Sequence, residues 1–206
     1  MKPLEMPATA AMMPGFINPV MQSQATFRTI MSALAEPGRW LALTDALTPP
    51  DGLPLAAALA LLTLADFDTP VWLPEPLRDG AAGAWLRFHC GCPLATSPAD
   101  AAFAVIDPSH PTSPRIADFS AGDDRFPDRS ATILVLCGSD ETGFPVDLSG
   151  PGIATTVRVS PGHLTPQFWL DVIANAKHYP LGVDLLLVSA THVLGLPRST
   201  RIDGVA

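Results

Sequence analysis

The chain has 206 residues, of which 48% are hydrophobic and 16% charged, and its formal net charge is -8. A compact fold of this length buries about 70% of its unfolded surface and needs neither disulfide nor metal to hold a core. The acidic balance excludes broad nucleic-acid binding, which requires a basic footprint, and the scarcity of charge points to apolar surface covered by another subunit.

Ten of the twelve basic residues are arginines, the cation suited to phosphate and carboxylate geometry, so a local anion site remains open. Cys90, Cys92 and Cys137 are too few for a disulfide framework and are expected to be reduced thiols of a cytoplasmic protein. Residues 1–17 contain Glu5 and three prolines and lack the apolar run of a signal peptide. They are expected to form a flexible N-terminal arm ahead of a single domain, 18–206. The longest apolar run, "LPLAAALALLTLA", is shorter than the roughly 20 residues that span a bilayer, so no membrane segment is expected.

From Asn18 the pattern is helical. Asn18 caps, Pro19 takes the first position, Val20, Phe27, Ile30, Met31 and Leu34 recur at helical spacing, and Pro37 and Gly38 end the run. "RWLALTDAL" predicts a strand before a "PPDG" turn. Residues 53–65 predict a buried helix, Thr69 to Leu73 an extended segment, and "AWLRFHCG" and "AAFAVID" two strands. The proline-dotted stretch 108–130 predicts a loop with at most one short helix. "ATILVLC" is a strong buried strand, and "FPVDLSGPGIATTVRVS" predicts two strands joined through "SGPG", where Pro151 and Gly152 suit a type II turn. Thr165 and Pro166 open a third helix, and "DLLLV" and "HVLGL" give two closing strands. Helices mixed with short apolar strands predict an α/β domain with a mixed sheet and flanking helices.

The candidate sites each carry a structural alternative. His89, Cys90 and Cys92 in "HCGC" are soft metal ligands, but a structural zinc usually adds a separated second pair. On a strand, 90 and 92 would face away from 89. Buried thiols and a hydrogen-bonded histidine account for them better. "SGPG" is a tight turn or an anion nest; the extended "IATTVRVS" after it argues against a dinucleotide fingerprint. Lys177 sits at the end of a helix, where its charge is favourable without any Schiff-base role. Asp66 and Asp68 could bind a cation or act as acid and base, or could accept backbone hydrogen bonds in a turn. Asp184, at the mouth of "LLLV", is either catalytic or held by an arginine such as Arg198 or Arg28; a paired charge is the kind tolerated near a core, which favours the anchor.

"FRTIMSALAEPGR", "LLTLADFDTPVWL", "LRFHCGCPL", "LSGPGI" and "YPLGVDLLLV…LGLPRST" together resemble, in this order, the PhnH family, a subunit of the bacterial carbon–phosphorus lyase system. The likeness runs from about residue 20 to 200; the "HCGC" cysteines and the N-terminal arm lie outside it. The resemblance implies a cytoplasmic accessory protein of phosphonate breakdown, without cofactor, metal or catalytic residues of its own. It implies a homodimer that also associates with G, I and J proteins, to which a K protein can attach. The complex makes alpha-D-ribose 1-methylphosphonate 5-triphosphate from ATP and methylphosphonate. The fold implied is like the large domain of pyridoxal-phosphate-dependent transferases without the cofactor site. Candidate ligand or interface residues are Arg28, Asp66, Asp68, Arg87, His89, Asp184, Arg198 and Thr200, and Pro37, Gly38, Gly150 and Gly152 are expected at structural turns. The alternative is a free-standing enzyme for a small phosphorylated substrate, with Asp66, Asp68, His89 and Arg198 in one cleft.

Overall fold

The computed structural model describes residues 13–138 and 142–203. Most of the expected arm, residues 1–12, lies outside them. Helix α1 (Pro19–Ala35) begins where the Asn18 side chain accepts from Met21 N, with Pro19 in the first turn. Helix α2 (Leu55–Leu64) has no polar face, and Ala56 to Leu61 are all buried. Between them the expected strand over 39–47 shrinks to β1 (Leu41–Ala42).

Strand β2 (Val71–Trp72) leads into the short α3 (Glu75–Arg78) and then α4 (Ala81–Cys90). The strand expected from "AWLRFHCG" is therefore a helix. Its buried residues Ala82, Trp85 and Leu86 recur three and four apart, while Phe88 points outward, 68% exposed; strand alternation would have buried Leu86 and Phe88 together. Gly91 closes the helix in the left-handed region, φ 68°. Strands β3 (Phe103–Ile106) and β4 (Thr132–Leu136) flank the proline-dotted segment, which holds two 3-10 turns, Ile116–Asp118 and Pro127–Arg129, rather than one helix at most.

Strands β5 (Val146–Ser149) and β6 (Val157–Val159) are joined through "SGPG". There Ile153 N donates to Gly150 O (3.1 Å) and Gly152 takes φ 81°, as a type II turn requires. Thr165 caps α5 (Pro166–Ala176) through Phe168 N. Strands β7 (Asp184–Val188) and β8 (His192–Leu196) follow, and a third strand that the sequence pattern did not suggest, β9 (Arg201–Asp203), pairs with β5.

The main sheet is mixed, in the order β1-β8-β7-β4-β3-β2; β2, β3, β4 and β7 run parallel, and β8 pairs antiparallel with both β7 and β1. A small antiparallel sheet, β6-β5-β9, stands beside it. Both faces of the main sheet are covered, so its central strands are apolar without alternation. Leu134, Leu186 and Val188 join α1, α2 and α4 in one core, while Ile133, Val135, Leu185 and Leu187 join Phe168 and Trp169 of α5 in the other. Gly195 lets α1 lie directly on β8, since a Cβ there would fall 2.5 Å from the Ala33 backbone. Among the expected turn residues, Pro37 is buried, Gly38 (φ 87°) packs on Leu148 and Val157, and Gly152 abuts Ala35 O. These contacts tie the end of α1 to the small sheet.

Candidate functional site

Asp184 opens β7 beside Thr132, the first residue of β4, at the amino ends of the parallel strands. Its Oδ1 accepts from Arg198 N (2.8 Å) and Nε (3.2 Å), and its Oδ2 from Arg198 Nη2 (2.5 Å). Arg198 also donates to Pro127 O (2.9 Å), Pro180 O (3.4 Å) and Ser130 Oγ. All five side-chain N–H groups are thereby used, with none left for a ligand. Pairing inside a half-buried site compensates both charges and three backbone or hydroxyl oxygens at once. Thr200 N closes the adjoining turn on Pro197 O (2.8 Å), and the Thr200 hydroxyl is buried without a hydrogen-bond partner among the described residues.

A second group lies around the ends of α2 and α4. Asp66 Oδ1 accepts from Asp68 N (3.0 Å) and Thr69 Oγ1 (3.1 Å), which is turn chemistry; Asp68 itself is exposed. The Met13 carbonyl accepts from Trp85 Nε1 (2.9 Å) and His89 Nε2 (3.0 Å), so His89 helps to seat residues 13–17 on α4. Gly15 lies against the same imidazole, close enough that a Cβ would meet its Nδ1 at 2.7 Å. The Cys90 thiol donates to Leu61 O (3.8 Å); its polar interaction with Cys92 and then burial push the Cys90 thiol up, and the same interaction holds Cys92 below the ordinary thiol value. Arg87 is exposed and adds a smaller favourable charge for the Cys92 thiolate. Arg28 is exposed on α1 and joins no ion pair among the described residues. Among the described residues, no three His, Cys, Asp or Glu side chains are placed to share a metal.

The residues singled out from sequence therefore fall into separate structures. Strands β3 and β4 stand between β2, which follows Asp66 and Asp68, and β7, which Asp184 opens. That is about 14 Å of sheet. None of these residues lines either of two hollows elsewhere in the molecule.

The carboxyl ends of β3 and β4 carry a different arrangement, at the edge where open parallel sheets bind ligands. A cavity of about 310 Å³ is lined by Asp107, Ser109, Leu136, Cys137 and His163. Asp107 Oδ1 accepts from Ser109 N (2.9 Å) and Oγ (2.6 Å). Gly138 and Gly162 exchange two backbone hydrogen bonds (3.0 and 3.1 Å), which pins the loop bearing His163 over the end of β4. His163 is held at φ 69°, the left-handed region, with its side chain exposed. A second cavity of about 300 Å³ lies between α5 and the 115–121 segment. Its rim is the bidentate Arg115–Asp171 pair, with His178 nearby and Phe119 in the wall. The sequence reading missed Asp107, His163, Arg115 and Asp171; the only local signal was the Pro-Gly-His turn in "SPGHLTP".

The sequence from residue 14 to 203 matches the family described as bacterial phosphonate metabolism protein (PhnH). The chain belongs to this family. A relative from Rhizobium meliloti (strain 1021), the alpha-D-ribose 1-methylphosphonate 5-triphosphate synthase subunit PhnH, is 36% identical over 189 residues, covering 91% of this chain and 94% of that protein. The putative C-P lyase subunit protein HtxG of Stutzerimonas stutzeri is 31% identical over 184 residues, covering 88% and 86%. The PhnH match takes in the Asp184–Arg198 anchor, the α1 platform and both cavities. No helix among the described residues is long and apolar enough to cross a membrane.

Proposed function

We propose that this chain is an accessory subunit of a carbon–phosphorus lyase complex, needed to form alpha-D-ribose 1-methylphosphonate 5-triphosphate from ATP and methylphosphonate. The observation that carries this reading is the near full-length likeness to two proteins that are both named as subunits. The geometry is compatible with it: the most polar cluster, around Arg198, is consumed internally, and His89 is engaged in seating the chain's own residues 13–17. In this reading the chain forms a homodimer, works in the cytoplasm with G, I, J and K proteins, and holds no cofactor. Its main sheet corresponds to the large domain of pyridoxal-phosphate-dependent transferases without the cofactor site. A second reading, a free-standing enzyme for a small phosphorylated substrate, draws on the cavity bearing Asp107, Cys137 and His163.

Reconstitution separates the two. Triphosphate transfer from ATP to methylphosphonate should require this chain in the rebuilt complex and be absent from the chain alone. Turnover by the isolated chain, abolished by His163→Ala, would establish the enzyme reading instead.

A further inference from the structure

Helix α1 is apolar on two sides. Its inner side, Thr26, Ile30 and Ala33, is buried against α2 and β8. On the outer side Val20, Phe27 and Met31 are 76%, 46% and 47% exposed, and Met21 beside them 59%. Steps of seven and four residues place Val20, Phe27 and Met31 on one line along the helix, with Gln24 between them. A solvent-facing stripe would normally carry charge, yet the seventeen residues of α1 include a single charged side chain, Arg28. It flanks the line and joins none of the ion pairs among the described residues. The platform beneath is rigid, because Gly195 brings the α1 backbone against β8.

We propose that the outer face of α1 is the docking surface for another subunit of the assembly, engaged through an apolar helix that brings a carboxylate to Arg28. The inference rests on the subunit reading above and adds the surface and the chemistry of the partner. Phenylalanine, methionine and arginine are the residues enriched at interface cores, where lysine and carboxylates are depleted. A second copy of this chain fits the face poorly. Arg28 lies next to the midpoint of α1, so antiparallel pairing of α1 with itself would set two guanidinium groups against each other. An apolar helix with one carboxylate placed at Arg28 meets the same face with opposite local charge and matched hydrophobicity.

The test is co-expression with G-, I- and J-type subunits and purification through a tag on this chain. Failure of the wild type to recover those subunits would refute the subunit reading itself. Given recovery by the wild type, the Phe27→Glu/Met31→Glu variant and Arg28→Glu should each recover at least tenfold less partner. Their thermal unfolding and sedimentation alone should match the wild type, and Phe88→Glu, a change to an exposed aromatic on α4, should recover partner normally. Wild-type recovery by the α1 variants overturns the proposal. So does conversion of the isolated variants from dimer to monomer, which would assign the face to a second copy. Arg28→Glu decides the matter alone if the double variant does not fold, since its wild-type side chain has no described partner to lose.

Discussion

At the amino ends of β4 and β7, one arginine spends all five side-chain donors on a carboxylate, two carbonyls and a hydroxyl. At the carboxyl ends of β3 and β4, the same sheet leaves a hollow of about 310 Å³ rimmed by Asp107, Cys137 and His163. The strands are continuous, so the contrast comes from what the connections bring. Segment 127–130, Pro180 and Asp184 bring to the first edge the oxygens that complement one guanidinium, which segment 197–200 supplies. At the second edge the glycine bridge between 138 and 162 raises a loop above the strand ends, with space beneath it. A closed polar network serves stability; an open edge leaves groups that something else can meet.

The largest expected effect lies at the closed edge. Arg198→Ala leaves Asp184 with only the backbone N–H of residue 198 and the carbonyls unpaired, and should cost about 3 kcal/mol in denaturant unfolding; a loss below about 1 kcal/mol would mean that the edge is not organised by this arginine. Asp184→Asn keeps the shape and removes the charge, so a cost on the order of 1 to 3 kcal/mol is expected. If that variant instead kept its stability while triphosphate transfer by the rebuilt complex fell a hundredfold, the carboxylate would belong to the chemistry.

At the open edge, His163→Gly removes a side chain from a left-handed backbone that glycine adopts without strain. Stability should stay level or rise by up to about 1 kcal/mol, and a clear loss would show that the imidazole holds this edge together. The smallest effect belongs to Arg158–Asp147, which repeats the two-point geometry of Arg198–Asp184 on the exposed small sheet (2.7 and 2.6 Å). Hydrogen bonds from Arg158 hold the Asp147 carboxyl below its ordinary value. Its contribution is therefore present above the usual carboxylate range and lost as pH falls through the depressed folded value. Wild type should be slightly more stable than Asp147→Asn at pH 7, and the difference should vanish in strong acid. A difference as large as that of Asp184→Asn would show that geometry, and not burial, sets the strength of these pairs.

What could be read from the sequence was local. Asn18 with Pro19 and Thr165 with Pro166 announce their helices because capping depends on neighbours in the chain. The runs in β4 and β7 announce buried strands because both faces are covered. The pairing of Asp184 with Arg198 was within reach, since the hairpin from β7 to β8 brings fourteen residues of separation back to one edge. Helix α4 was hidden because its ten residues give barely three turns of pattern, with glycine and charge among them. Strand β9 is "RID", polar and short, and becomes a strand only because β5 offers an edge. The carboxyl-edge cavity left only the Pro-Gly-His turn as a local trace: Asp107, Cys137 and His163 come from three connections and meet only once the sheet is built.

The pairing of β1 with β8 sets a timetable for the chain as it is made. Leu41 is bonded across from Val193 and Ala42 from His192, so the first strand waits about 150 residues for its neighbour. At the usual pace of about 5–20 residues per second, that interval is roughly 8 to 30 seconds. Helices α1 and α2 can meet each other during it, but the surface on which Ala33 comes to rest, at Gly195, does not yet exist. The outer side of α1 and the part of its inner side that later rests on β8 are then uncovered together on the ribosome, and this half of the molecule is the part that a chaperone would have the longest opportunity to hold.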